Sequence, residues 1–243
     1  MLDPPGAPEN RTVSTLFRDL PKSTIDAVYA AGRRLEVDAG EFFCRQGAPA
    51  TSFHVLLKGR AKLTQVTEDG HQVLVRFLGP GDCCGIIAAH EGSEYQASVE
   101  AVEPSAVLSW DRDTLKLLLQ RHPDFALNAL GVLAEQCQAW QRRYREVTTA
   151  RVEQRVALTL LRLARQAGRK VEAGVLIALP LSREDLAEMT GTTLYTVSRI
   201  LSRWEQTGFV ELGRRRVVIT DGHALMTIAE DGEVQPNPTS SGC

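Results

Sequence analysis

The sequence of 243 residues lacks most of what secreted, membrane-spanning or metal-holding proteins need. No apolar run approaches the roughly 18 residues of a membrane span. The N-terminus, MLDPPGAPENR, has neither a basic start nor a hydrophobic signal core, so a cytoplasmic protein is expected. Five cysteines (Cys44, Cys83, Cys84, Cys137 and Cys243) are an odd number without a CxxC pair, which argues against a disulfide framework. The histidines His54, His71 and His90 stand alone, with no HxH to start a metal site. Positive charge is not in excess either: formal net charge is −2, which rules out a protein coated in basic residues.

What is present is 43% hydrophobic content, enough to bury the core of one large domain or two ordinary ones. The charge is also unevenly placed. Residues 151–222 hold 12 Lys and Arg against 8 Asp and Glu, a net of +4, while residues 1–150 and the tail from 223 on are each at −3. Such segregation is expected when one domain of two meets phosphates.

Along the chain, residues 15–32 repeat apolar side chains at helical spacing, with Pro21 splitting them into two short helices. From Arg33 to about Ser109 short strands follow one another: RRLEV, EFFCR, SFHVLLKG, RAKLTQV, QVLVRFL and YQASVEAV, with turns at glycines and at EDG, 68–70. This texture predicts a compact β-roll or jelly roll. DRDTLKLLLQRH, 111–122, is helical again. Beyond Pro123 the residues Ala126, Leu130, Leu133, Cys137, Trp140, Tyr144 and Val147 alternate four and three apart, an unbroken heptad seam. The seam reads as a parallel dimer interface; the plainer alternative is an amphipathic helix packed on its own domain.

RVEQRVALTLLRLARQA, 151–167, predicts a further helix, then the loop GRKVEAG and the short strand VLIALPL. LSREDLAEMTGTTLYTVSRILSRWEQTGFVEL, 181–212, parses as helix, turn, helix, with Ser182 as N-cap, Asp185 three residues on, and Gly191 at the sharp turn. In the second helix Val197, Ile200, Leu201 and Trp204 form the inner side. Thr193, Tyr195, Thr196, Ser198, Arg199 and Arg203 face outward as candidate DNA contacts, with Arg183 on the first helix. FVEL, Arg214-Arg215-Arg216 and VVIT then make a hairpin, or wing. A second helix presenting Ser, Thr, Tyr and Arg near its start suits the major groove, where Arg grips guanine O6 and N7. The bland alternative, a small helical domain with merely solvated arginines, leaves the wing and the basic balance unexplained.

The order of β-roll, long helix and winged helix-turn-helix resembles the Crp/Fnr family of bacterial transcription regulators over residues 15–220, most specifically in LSREDLAEMTGTTLYTVSRIL. The resemblance implies an α+β chain: a mobile N-terminus, 1–14; a jelly-roll-like β-roll sensor with flanking helices, 15–121; a dimerisation helix, 122–149; a winged helix-turn-helix, 150–229; and a mobile tail, 230–243. It implies a homodimer on a palindromic double-stranded operator, acting with RNA polymerase and not as an enzyme. By position, Arg183 would meet a phosphate and Arg199 a guanine, and Ser198 matches the redox-regulator branch. Tyr195 stands where many members have a glutamate, and Leu194 where the cAMP-responsive branch has an arginine.

The stretch PGDCCGIIAAHEG, 80–92, resembles the family's phosphate-binding cassette with its charges removed. Ile86 stands at the ribose glutamate, Tyr95 and Gln96 at the Arg-Ser or Arg-Thr pair, and Trp140 and Gln141 at the adenine-contacting positions. A buried cyclic phosphate without a cation loses several kcal/mol to desolvation, so a signal other than cAMP or cGMP is expected. The expected effector pocket comprises Cys83, Cys84, Gly85, Ile86, His90, Tyr95, Gln96 and Trp140. An iron–sulfur cluster is set aside because residues 1–43 contain no cysteine. Haem is one candidate cofactor, sensing carbon monoxide or nitric oxide, with Cys83, Cys84 and His90 as candidate ligands. Thiol sensing by the vicinal Cys83-Cys84 pair is another, although strand alternation points these side chains to opposite faces; Cys44 and Cys243 rank behind it. An unknown small metabolite, or no ligand at all, is a third. The rival class, a cupin-like metal enzyme, lacks its histidine cluster, and a cyclic-nucleotide-binding regulatory subunit leaves the C-terminal motif without a purpose.

Overall fold

The computed structural model describes residues 14–230; the segments 1–13 and 231–243, with the expected mobile ends and Cys243, lie outside the described residues. The chain divides into two compact units, residues 1–140 and 141–243. The division falls inside the long helix Pro123–Thr149.

The first unit is a roll of two four-stranded antiparallel sheets. β1 (Arg33–Val37), β3 (Ser52–Lys58), β6 (Cys83–Cys84) and β8 (Ser105–Asp111) form one, in the order β1-β8-β3-β6. β2 (Phe42–Cys44), β4 (Ala61–Val66), β5 (Gln72–Leu78) and β7 (Ser98–Ala101) form the other, in the order β2-β7-β4-β5. Alternation along β3 builds two cores at once. Leu56 turns inward and packs with Val37, Cys44, Ala61, Tyr95, Val99 and Val107 between the sheets. Phe53 and Val55 turn outward and pack with Leu108, Trp110 and Cys83 beneath the helices.

Those helices are a 3-10 turn, Thr15–Phe17, then α1 (Lys22–Ala30), α2 (Arg112–Arg121) and the start of α3 (Pro123–Thr149). Trp110 stacks on Phe53 with ring centroids 5.5 Å apart, and its indole N–H donates to the Val28 carbonyl at 2.8 Å. Asp111 caps α2 by accepting from the Thr114 N–H at 2.8 Å. Pro123 opens α3 where its missing N–H costs nothing. Phe125 and Ala129 then bury one face of α3 in the outer core.

In the second unit, α4 (Val152–Ala167) carries Val156, Ala157, Leu160 and Leu163 inward. β9 (Gly168–Val171), β10 (Gly174–Ile177), β11 (Val210–Gly213) and β12 (Arg216–Ile219) make a third sheet in the order β11-β12-β10-β9. Between its strands lie α5 (Arg183–Thr190) and α6 (Leu194–Gln206), and α7 (Gly222–Glu230) packs on α4. β9 replaces the expected loop GRKVEAG, and α7 lies where no helix was expected. No described helix is long and apolar enough to cross a membrane.

Candidate nucleic-acid interface and effector cassette

The helix-turn-helix is braced from within. Ser182 Oγ accepts from the Asp185 N–H at 3.0 Å while Asp185 Oδ2 accepts from the Ser182 N–H at 2.7 Å, a reciprocal cap that satisfies donors an open helix end leaves free. Gly191 ends α5 in the left-handed conformation, φ 60°. Thr193 caps α6, accepting from the Thr196 N–H at 3.2 Å. Val197, Ile200, Leu201 and Trp204 are buried, as the spacing predicted. Arg155 on α4 clamps the turn, donating to the carbonyls of Thr190 at 2.8 Å, Gly191 at 3.3 Å and Ala150 at 3.1 Å. Glu153 takes the Trp204 indole N–H at 2.9 Å and the Arg203 guanidinium. Neither Arg155 nor Glu153 had been picked out, because only the folded contacts show their work.

The outward residues divide by what holds them. Tyr195 is 75% exposed, and Arg199 and Arg183 are exposed too. Thr196 and Ser198 are half-buried beside them. Arg203, also expected among the DNA contacts, is exposed as well, and its pairing with Glu153 fastens α6 to α4. At the wing, Arg216 pairs with Glu211 at 3.0 Å, while Arg214 and Arg215 at the tip are exposed. An open groove of about 360 Å³ lies between the start of α5 and the wing, and its lining includes Arg183, Leu194, Arg215 and Arg216.

In the roll, the residues expected to form one effector pocket are spread over several faces. Cys83 packs in the outer core, and burial pushes its thiol up to about 12. Ile86 also packs against that outer core. Cys84 faces the roll interior, opposite to Cys83, as strand alternation predicted. His90 is exposed, with Nδ1 at 3.1 Å from Ser93 Oγ, and Gln96 is exposed and donates to the Glu94 carbonyl at 3.1 Å. Trp140 stands on the exposed seam of α3. The three candidate haem ligands Cys83, Cys84 and His90 therefore do not converge on one point. Among the described residues no three His, Cys, Asp or Glu side chains gather to hold a metal ion.

Tyr95 closes the cassette. Its hydroxyl donates to the Ser52 carbonyl at 2.8 Å and accepts from the Ser52 N–H at 3.0 Å. Gly85 is left-handed, φ 79°, and a Cβ there would lie 2.6 Å from the Ser52 oxygen and 3.1 Å from the Tyr95 ring, so only glycine fits. A cross-sheet cluster, missed in the sequence, lies behind it. Cys44 Sγ is 3.9 Å from Cys84 Sγ, and His54 sits opposite Cys84 in the register of β3 and β6. Hydrogen bonds from Cys84 and His54, with the imidazole's charge, outweigh burial and hold the Cys44 thiol down to about 6. Cys84 is held well above the usual thiol range by its bond to Cys44 and by burial.

The heptad seam of α3 is bare in the single chain: Leu130 is 62% exposed and Tyr144 75%, with Leu133, Cys137, Trp140 and Val147 exposed and Ala126 half-buried. Leu127, 65% exposed, widens this apolar stripe beyond the residues the spacing picked out.

Comparison with known proteins follows the same division. Residues 34–122 match the family model of the cyclic nucleotide-binding domain, and residues 154–228 that of the Crp-like helix-turn-helix domain. The cyclic AMP receptor protein of Thermus thermophilus is 27% identical over 216 residues, covering 89% of this chain and 97% of its own length. The CRP-like cAMP-activated global transcriptional regulator of Mycobacterium tuberculosis is 23% identical over 210 residues, covering 86% of this chain and 94% of its own. The solved structure of FixK2 from Bradyrhizobium japonicum shares the fold, with a TM-score of 0.71 at 23% identity over 81% of this chain and 96% of that one. With a cyclic-nucleotide-binding-type roll, a long helix and a Crp-like DNA-binding domain in the same order as in these regulators, the chain belongs to the Crp/Fnr family of transcription regulators.

Proposed function

We propose that the chain is a homodimeric, sequence-specific transcription regulator that answers to a signal other than a cyclic nucleotide monophosphate. The observation that carries the reading is the free outer face of α6: Tyr195 and Arg199 stand exposed on a helix whose cap, turn and far end are all fixed by neighbours. In this reading α6 enters the major groove, Arg199 takes guanine, and Tyr195, Thr196 and Ser198 take base edges or phosphates. Thr193, as the cap of α6, presents that helix's first N–H groups to a phosphate. Arg183, with the wing arginines Arg214 and Arg215, meets the sugar-phosphate backbone. Two copies joined along α3 place two such helices on a palindromic operator about one helical turn apart. RNA polymerase is the further partner on which the bound dimer acts.

The roll supports a signal unlike that of its cAMP-binding relatives. Tyr95, tied to both Ser52 backbone groups, occupies the cassette where a cyclic phosphate would need a cation. Operator sequences selected from random DNA by the full-length protein test the DNA reading. Arg199→Ala is expected to weaken binding and relax selection at one base position per half-site, by roughly tenfold to a hundredfold, equivalent to about 1–3 kcal/mol. Unchanged selection by Arg199→Ala would refute the assignment, and added cAMP is expected to leave affinity unaltered.

A further inference from the structure

The interior of the roll holds a group of residues that DNA recognition does not use. Cys44 lies on β2 in one sheet and Cys84 on β6 in the other, so the contact of 3.9 Å between their sulfurs bridges the two layers. Cys83, next in sequence to Cys84, points into the opposite core and cannot join them. His54 is only 5% exposed, lies across the strand pair from Cys84, and its Nδ1 has no hydrogen-bond partner. A buried polar atom without a partner costs free energy, so it needs a reason to be there. Among the described residues no three His, Cys, Asp or Glu side chains are placed to hold a metal ion, and the contact between the two sulfurs points to thiol chemistry.

We propose that Cys44 and Cys84 are a dithiol redox site, oxidised by hydrogen peroxide to a reversible disulfide that staples the two sheets of the roll. The Cys44 thiolate attacks one peroxide oxygen; the O–O bond breaks, and hydroxide leaves, becoming water with the proton the thiol had given up. Cys44 is then a sulfenic acid. The Cys84 sulfur attacks the Cys44 sulfur, the S–O bond breaks, and the hydroxyl departs as water with the Cys84 proton. The two thiols lose two electrons, and one peroxide is reduced to two waters. His54, buried beside the pair and hydrogen-bonded to Cys44, is the positioning group.

The geometry asks little of the fold. Sulfurs in van der Waals contact must close to about 2 Å, so each moves by roughly 1 Å. Cys44 is only 3% exposed, but its neighbour Cys84 is half-buried, and peroxide is close to water in size. The staple acts on a segment with leverage: Cys84 leads directly into the 3-10 turn Ile86–Ala89, whose Ala88 carbonyl accepts from Arg112 at 3.0 Å, and Arg112 is the first residue of α2. The inference goes beyond DNA recognition, and its readout contains no DNA, so either reading can fail alone.

The test uses the full chain carrying Cys137→Ser and Cys243→Ser, which removes the exposed seam thiol and the tail thiol. After peroxide treatment, alkylation and tryptic digestion, mass spectrometry is expected to find the peptide containing Cys44 joined to the one containing Cys84, with the loss of two hydrogens, reversed by dithiothreitol. Adding Cys83→Ser should preserve the link. Adding Cys44→Ser or Cys84→Ser should abolish it while the reduced variants keep the parent's circular dichroism and melting. A link within the Cys83-Cys84 peptide, or sulfinic acid at Cys44 without any cross-link, would overturn the proposal.

Discussion

At the scale of single residues, adjacent positions in this chain have opposite fates. Cys83 and Cys84 differ by one step along a two-residue strand, yet one is an inert thiol raised to about 12 and the other a partner of Cys44. The depressed Cys44 also links stability to pH. Its folded value of about 6 lies below the ordinary 9.0, so the folded state binds fewer protons than the unfolded state between these limits. The contribution is fully present above about pH 9, shrinks as pH falls, and is gone once pH passes below about 6. Urea unfolding midpoints of the reduced protein are therefore expected to rise from pH 6 to pH 9, and this component should vanish in Cys44→Ser. A slope identical in the variant would place the titration elsewhere.

At the scale of elements, the helix-turn-helix was legible because its signals are local. Caps, turn glycine and apolar spacing lie within 32 residues, and the structure has α5 and α6 where they pointed. Replacing Ser182 by alanine removes one half of the reciprocal cap and leaves the Asp185 N–H short of an acceptor. A loss of about 1 kcal/mol is expected, read as a lowered melting transition of the C-terminal unit, with Ser182→Thr restoring most of it. β8 was missed for the converse reason. SAVLSWD is buried on both faces, by the roll interior and by the helices, so it shows no alternation of apolar and polar residues. β9, GRKV, is a polar edge strand that only its pairing with β10 reveals.

At the scale of the whole molecule, α3 carries two apolar faces with different destinies. Phe125 and Ala129 are spent on the chain's own core, while Leu130, Trp140 and Tyr144 remain bare. A second copy is the partner proposed for the bare face. Leu130→Glu would then remove an apolar side chain from the interface twice, once per copy, each worth about 2 kcal/mol. Sedimentation equilibrium is expected to show association weakened roughly a thousandfold, with operator affinity falling in parallel because half-sites must be bound together. A Leu130→Glu dimer as tight as the parent would assign the seam another role.

Sequence alone determined the α+β organisation, the heptad seam and the order of helix, turn, helix and wing, because each rests on periodicity or capping within a few turns of chain. Tertiary structure decided which residues meet. Arg203 is exposed as its helical phase predicts, and only the fold shows that Glu153, fifty residues earlier, pairs with it. Cys83, Cys84, His90 and Trp140 share a motif or a family position, yet the fold sends them to an outer core, an inner core, a loop surface and a helix seam. Cys44 and Cys84 are 40 residues apart and give no local signal; they become neighbours only because two sheets close on each other with both side chains on their inner faces.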